Sequence, residues 1–374
     1  MAMSLLKALA KKARAPVFAA IGENGLTAVD GLALDVRLAF KASPREAGIL
    51  LVIGEIDAAR LGYLERLHDQ LPHPRATVFW RTESLARFGN ATVVGEGEDA
   101  AEVIATVYRR LLAGDMPSEP DLLPDEPPND WRGKGDHGQG GEGMMGGAPY
   151  GRPMAMPDDD IRDGLQLDAF TAEFGPFLPT FPPGLVLKLT LQGDVIQTLT
   201  MEHPPFPQSD ETSAAGALRR AARLMRLIGQ PARAERLQRL AMQIAHGEKP
   251  GAADNARALP RWVLASIPAG LGVTVDSGDV RARLTRTLDA LHASSADYRQ
   301  TTIPADARLD RLLAGLEWHE AMLVLASFSV GEIMQLGVNM RSEAAEVTNN
   351  AHESHRGHSS HHGHGAHGSH GGHG

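Results

Sequence analysis

The stretch AGILLVIG, residues 47–54, decides the fold of the first half of the chain, because it is apolar without interruption and ends on a glycine. Strands of parallel sheets are buried on both faces and read as such continuous runs. PVFAAIG (16–22) and ATVFWR (76–81) repeat the pattern. Apolar residues at helical spacing lie between and after these runs, in 58–71 and 99–112. The pattern predicts an α/β domain with a doubly wound parallel sheet.

The second half has a different pattern. Residues 184–201, GLVLKLTLQGDVIQTLTM, alternate around a glycine-containing turn and predict a β-hairpin. Two amphipathic segments follow, 214–229 and 232–247, and their apolar positions are better interpreted as core than as a cofactor site. Further helical segments at 279–293 and 309–330 complete a predicted α+β, mostly helical domain with a small antiparallel β-hairpin.

The composition shifts divide the chain into four parts. Residues 1–114 are the α/β domain, which we expect to be flavodoxin-like, and 166–348 are the helical domain. Residues 115–165 are rich in Gly, Pro and Asp and are expected to form a linker. Residues 349–374 are rich in His, Gly and Ser and are expected to be a disordered tail.

Composition excludes several classes of function. The chain of 374 residues contains no cysteine, which excludes disulfides, thiolate nucleophiles and Cys-ligated clusters. Its net charge of −9 argues against nucleic-acid binding. Lysines and arginines interrupt the N-terminal segment, and no apolar run reaches the roughly 20 residues that span a bilayer. We therefore expect a cytoplasmic protein without a membrane span of its own.

The histidine-rich tail is the strongest local chemical signal. Imidazoles on a flexible chain chelate nickel, zinc or copper without a preformed geometry. Delivery or storage of nickel or zinc and incidental chelation are both compatible with this pattern. The candidate ligands are His352, His355, His358, His361, His362, His364, His367, His370 and His373.

Catalytic constellations are sparse elsewhere. Asp158, Asp159 and Asp160 form an acidic run that could hold a hard cation, although such runs are usually solvated linker. The glycines of 138–147 neither follow a strand pattern nor open a helix pattern, so a phosphate loop is not indicated. The residues themselves predict no catalytic site.

Several short segments of the sequence resemble segments of a known protein superfamily. Ser43-Pro44-Arg45 leads into the apolar strand 51–54, and 71–75 (LPHPR) forms a turn before the next strand. This order resembles the small, cluster-carrying B-type subunit of complex I and of membrane-bound [NiFe] hydrogenases. The resemblance covers about residues 16–113.

The departures from that family pattern are informative. The resemblance implies a Cys-x-Gly-Cys loop for a [4Fe–4S] cluster after the first strand, and here Val29 and Leu32 take those positions. Glu96 stands in the turn that would supply another thiolate. Trp80-Arg81-Thr82 follows the strand where a further cysteine is expected. We expect no iron–sulfur cluster and a closed, packed pocket at an ordinary turn in 28–36.

The second half resembles the large D-type partner of the same superfamily. Residues 174–197 are similar to its opening hairpin, and 312–330 to its closing helix. The segment is short for a full large subunit, and the hydrogenase Asp-Pro-Cys motif is replaced by Ser329-Val330-Gly331. The chain thus resembles a fusion of a small-subunit-like half with a truncated large-subunit-like half.

The resemblance implies three functions. The first is a cluster-less structural or adaptor subunit, not an enzyme by itself, in a complex I-like or membrane hydrogenase-like assembly. Its partners would be antiporter-like membrane subunits, which would place it peripherally at the inner face of the cell membrane. The alternative is an NADH–quinone oxidoreductase or hydrogenase component that takes part in electron transfer or quinone reduction. A second alternative is nickel or zinc handling through the tail.

Overall fold

The computed structural model describes residues 13–124, 156–179, 181–209, 213–245, 264–289, 303–304 and 306–338. The first half contains a five-stranded sheet in the order β2-β1-β3-β4-β5, and all its pairs are parallel. This is the order of a doubly wound sheet with its switch point between β1 and β3. The strands are β1 (Ala15–Ile21), β2 (Leu38–Phe40), β3 (Ile49–Ile53), β4 (Ala76–Trp80) and β5 (Thr92–Val93).

Hydrophobic cores on both faces of this sheet confirm the predicted parallel α/β unit. Every residue of β3 is buried, as its unbroken apolar run predicts. Ile49, Leu51 and Ile53 face one core, and Leu50 and Val52 face the other. The helices of this half are α1 (Leu26–Leu32), α2 (Leu61–Asp69) and α3 (Ala100–Ala113). Helices α1 and α3 cover the first core and α2 the second.

Helix α3 shows how local sequence sets an element's bounds. Asp99 accepts backbone N–H bonds from Ala101 and Glu102 and so caps the helix start. Gly114 ends the helix in the left-handed region at φ 77°. The apolar positions between them pack on the sheet.

The second half contains an antiparallel sheet larger than the predicted hairpin. The hairpin itself is confirmed as β8 (Val186–Gln192) and β9 (Val195–His203). Two further strands, β6 (Met156–Asp159) and β7 (Gln166–Phe174), extend it to the order β6-β7-β8-β9. Strand β6 lies within the segment predicted as linker. The sequence does not predict it, because Pro and Asp are rare in strands and occur there mainly at sheet edges.

Helices pack on this sheet around one large core. They are α4 (Ala214–Leu227), α5 (Pro231–Ala245), α6 (Val280–Asp289), α7 (Leu309–Leu313), α8 (Trp318–Ser327) and α9 (Val330–Val338). The core includes Leu218 and Leu224 of α4 and Leu237 and Leu240 of α5. The apolar positions of these two helices are therefore core, as their spacing predicts.

Helices α8 and α9 are the most apolar consecutive pair that approaches the length of a membrane span. In the described ranges, no single helix is long and apolar enough to cross a bilayer. The two helices reach the required length and apolarity only as a pair, which bends by 110° at its break. Residues 321–327 of α8 are buried in the core of the second half.

Arg60 joins the two halves. Its side chain is 5 % exposed, and its Nε donates to the Gly184 carbonyl at 3.0 Å. Its Nη2 donates to the Pro204 carbonyl, and its guanidinium carbon lies 4.4 Å from the centroid of the Phe206 ring. Phe206 packs in the same core as β3 residues of the first half. The halves therefore share buried polar and apolar contacts.

Candidate functional site

The stretch 28–36 is not the simple turn expected from the sequence. Val29 and Leu32 lie on helix α1 and are 8 % exposed, which agrees with packed apolar positions. Gly31 is helical, and a Cβ there would lie 3.1 Å from Met242 Cε of α5. Val36, at the end of the stretch, is 80 % exposed. Packing against the second half makes this stretch a helix, which a local pattern could not reveal.

Leu32 and Glu96, two positions where the resemblance implies cluster ligands, lie near the same pair of side chains, Trp80 and Arg81. Leu32 lines a hollow with Trp80 and Arg81, and Glu96 lines a neighbouring hollow with the same two residues. The Arg81 guanidinium carbon lies 5.0 Å from the centroid of the Trp80 ring. Arg81 itself is in the left-handed region at φ 57°. The resemblance would place a cluster at these ends of the strands.

The residues present do not fit an iron–sulfur cluster. A [4Fe–4S] cluster is held by thiolates, and the chain contains none. Val29 and Leu32 have no ligand atoms in their side chains, and Glu96 provides only a carboxylate. The Arg81 cation would also repel iron. The residues at the positions that the resemblance implies for cluster ligands therefore do not form such a ligand set.

Val29 lies instead in a cleft between the two halves. The cleft has a volume of about 490 Å³. The first half contributes β1, α1 and the end of β2, and the second contributes α4, α5 and the loop after β7. Volumes of this size are typical of small-molecule sites.

Helix α4 turns a cationic face toward this cleft. Arg219, Arg223 and Arg226 follow the spacing i, i+4, i+7, so they share one side of the helix, and all three line the cleft. Arg219 is 4 % exposed, and its Nε lies 3.3 Å from Asp30 Oδ2 of α1. The geometry is that of an ion pair rather than an aligned hydrogen bond.

Gln238 of α5 extends this ion pair into a chain. Its Nε2 donates to Asp30 Oδ1 at 2.9 Å and to the Asp30 carbonyl at 3.0 Å. Its Oε1 accepts from Arg226 Nη2. Asp30 is thus held by groups from two helices of the other half.

A second polar cluster lies in the first half, away from the cleft. His68 is 1 % exposed, with Nδ1 2.7 Å from Asp69 Oδ1 and Nε2 3.0 Å from Glu119 Oε2. Glu119 also accepts from the Thr77 hydroxyl at 2.6 Å and the Thr77 amide at 2.8 Å. Burial alone would raise the pKa of Glu119, but the bonds from His68 and Thr77 hold it below its usual value.

This cluster holds the chain that follows α3. Burial opposes ionisation of Asp69, yet amide bonds from Leu122 and Leu123 and the bond to His68 keep its pKa below its usual value. These bonds fix residues 119–123 against β4 and α2. Because His68 and Glu119 are almost fully buried, the geometry is that of a structural cluster rather than of a site open to substrate.

The sequence predicts metal ligands in the histidine-rich tail, and its acidic run Asp158–Asp160 is compatible with a cation site but more typical of solvated linker. Within the described part of the chain, no group of three or more His, Asp or Glu side chains is arranged to hold a metal ion. Asp160 instead forms the β6–β7 turn, accepting from the Arg162 amide at 2.7 Å and from Gln197 at 3.1 Å. The backbone bond from Arg162 holds the pKa of Asp160 below its usual value. The tail histidines 352–373 lie outside the described residues.

Comparison with known proteins leaves the family open. No protein-family model and no curated protein sequence matches this chain.

Sequence reasoning missed the arginines of the cleft. The apolar positions of 214–229 predict a helix that packs in a core, and that pattern assigns no role to its arginines. The i, i+4, i+7 spacing of three arginines was a usable signal, but their direction depends on which face packs on the sheet. Asp30 stands in the apolar stretch 28–36, and no sequence pattern predicts its partners. Its partners come from residues far along the chain.

Proposed function

We propose that this protein is a non-catalytic, cluster-less structural or adaptor subunit of a complex I-like or membrane hydrogenase-like respiratory assembly. It would lie on the cytoplasmic side, peripheral to the membrane, and contact antiporter-like membrane subunits. In the same proposal, the first half is flavodoxin-like and resembles the small subunit, and the second half is a truncated relative of the large subunit.

The observation that carries this proposal is the pair Trp80 and Arg81 beside Leu32 and Glu96. In the family that the sequence resembles, these places serve a redox cluster, and here they hold side chains that cannot ligate one. The two halves nevertheless keep an extensive buried junction through Arg60 and Asp30. A scaffold retained while the chemistry is absent supports a role in assembly.

The β6–β7 ribbon adds support. Nearly every residue of β7 is exposed or only partly buried, on both faces of the strand. Leu167 is 49 % and Phe170 39 % exposed. Because successive side chains of a strand alternate between its two faces, these residues, three positions apart, lie on opposite faces. A ribbon with apolar side chains on both faces is suited to contact with another subunit.

Purification from the native host in mild detergent tests the proposal. The expected result is co-purification with antiporter-like membrane subunits, identified by mass spectrometry. The variant Leu167→Gln/Phe170→Gln should reduce this recovery, while Asp168→Asn, between them on the same exposed strand, should leave it unchanged. Recovery of the wild-type protein as a lone monomer would contradict the proposal.

Electron transfer or quinone reduction is the second candidate, and the cleft between the halves favours it. Because the chain has no thiolates, another subunit would have to supply the redox group. Anaerobically purified protein should show no iron–sulfur charge-transfer absorption. The complete assembly can be assayed for quinone reduction with and without Ala33→Phe, which fills the cleft. Loss of this activity in the variant would favour electron transfer or quinone reduction over a purely structural role.

A further inference from the structure

The cleft between the halves has an unusual charge for its surroundings. The described residues that line it include five cationic side chains and one carboxylate, in a protein whose net charge is −9. The carboxylate is Asp30, and the cations are Arg14, Lys41, Arg219, Arg223 and Arg226. Asp30 forms an ion pair with Arg219. The residues that line the cleft carry more positive than negative charge, which favours an anion.

Arg219 supplies the second, independent observation. It is 4 % exposed, and among the described residues its Nη2 is buried without a hydrogen-bond partner. An unsatisfied buried donor is costly, more so when it is charged. The planar guanidinium is suited to bidentate binding of a carboxylate or a phosphate. A bound anion would supply the acceptor that the protein does not.

Part of the cleft's lining is apolar. The loop after β7 contributes Pro176, Phe177, Leu178 and Pro179 to this apolar wall, and Ile21 and Val29 also line the cleft. Phe177 is 8 % exposed and packs in the core beneath, so the wall is firm. A small hydrated anion would leave this surface without a partner. The wall therefore favours a ligand with an apolar body.

We propose that the cleft binds an amphipathic organic anion. Its carboxylate or phosphate group would contact Arg219 and Arg223 of α4, and its hydrocarbon or ring body would lie along residues 176–179. The site is independent of the proposed assembly role, because it requires only the two halves of this chain.

Binding of medium-chain amphiphiles to the purified full-length chain, measured by isothermal titration calorimetry, tests the proposal. Decanoate and decyl phosphate should bind, and the stronger of the two identifies the head group. Decanol and decyltrimethylammonium should bind ~10-fold more weakly or not at all, because charged hydrogen bonds contribute that much. Acetate and inorganic phosphate, which lack the apolar body, should also bind weakly.

Variants locate the site. Arg223→Gln should weaken decanoate binding ~10-fold, whereas Arg236→Gln, an exposed arginine of α5 outside the cleft, should not change it. Ala33→Phe, which fills the cleft without changing charge, should reduce binding of decanoate and decyl phosphate alike. Circular dichroism and thermal unfolding confirm that each variant is folded.

Three results would overturn the proposal. Equal affinity for decanol and decanoate would show an apolar cleft without an anion site. Tighter binding of a short-chain ubiquinone than of any anion would assign the cleft to a neutral ring. Absence of binding by every amphiphile to folded wild-type protein would remove the site altogether.

Discussion

Arg219 Nε lies 3.3 Å from Asp30 Oδ2, although the two residues belong to different halves of the chain. Asp30 begins the last turn of α1, and Arg219 is buried on α4. Gln238 holds the same carboxylate from α5. Besides Arg60, the junction thus includes one acidic side chain in the stretch where the resemblance implies a cluster loop. Variants that break this contact therefore measure how much Asp30 contributes to the stability of the junction.

Asp30→Asn should destabilise the protein by about 2 to 4 kcal/mol, because it leaves the Arg219 charge buried without a counter-ion. Chemical denaturation monitored by circular dichroism measures the loss. Arg239→Ala, which breaks the exposed pair with Glu235, is the matched control and should have no measurable effect.

The double variant Asp30→Leu/Arg219→Met shows whether the stability lost in Asp30→Asn comes from an unpaired buried charge or from altered packing. Because it removes both charges and keeps similar volume, it should recover most of the stability lost in Asp30→Asn. If Asp30→Asn is as stable as wild type, the ion pair does not hold the halves together.

Arg60→Met should cost about 2 to 4 kcal/mol, since it removes the donors to two backbone carbonyls of the second half, one in a buried and one in a partly buried contact. Limited proteolysis should cut between the halves faster in the variant. Arg66→Met, an exposed arginine of the same helical segment, should leave both measurements unchanged. Unaltered proteolysis of Arg60→Met would show that other contacts suffice to join the halves.

The elements of the first half could be predicted because each strand is a short apolar run bounded by a turn residue. Strand β3 shows this most simply, since all five of its residues are buried. Helix α1 could not be predicted, because Gly31 and Asp30 weaken its local signal and contacts from Met242 and Gln238 complete its environment. The cleft was beyond sequence reasoning for the same reason. Both its charged side chains and its apolar residues come from the two halves, so the cleft exists only once the halves have docked.

Removal of residues 352–374 should abolish nickel and zinc binding measured by calorimetry at neutral pH. The imidazoles must be neutral to bind metal, so binding by the full-length chain should weaken as pH falls below their ordinary pKa of ~6.5. A truncation at residue 348 that keeps full metal affinity would place the ligands elsewhere. Metal-dependent growth of the native host shows whether the binding has a physiological role.

Acid should destabilise the first half through Glu119. Its pKa is held below the ordinary value of 4.5, so its bonds to His68 and Thr77 contribute full stability above pH 4.5. That contribution is lost as pH falls through the lowered pKa of the folded state. The pKa of Asp69 is also lowered, so its contribution to stability is lost in the same direction. Glu119→Gln should therefore lower stability at pH 7 and flatten its fall between neutral and acidic pH. Glu83→Gln, in the exposed loop after β4, should leave the profile unchanged. An identical acid profile in Glu119→Gln and wild type would show that this buried carboxylate does not control acid unfolding.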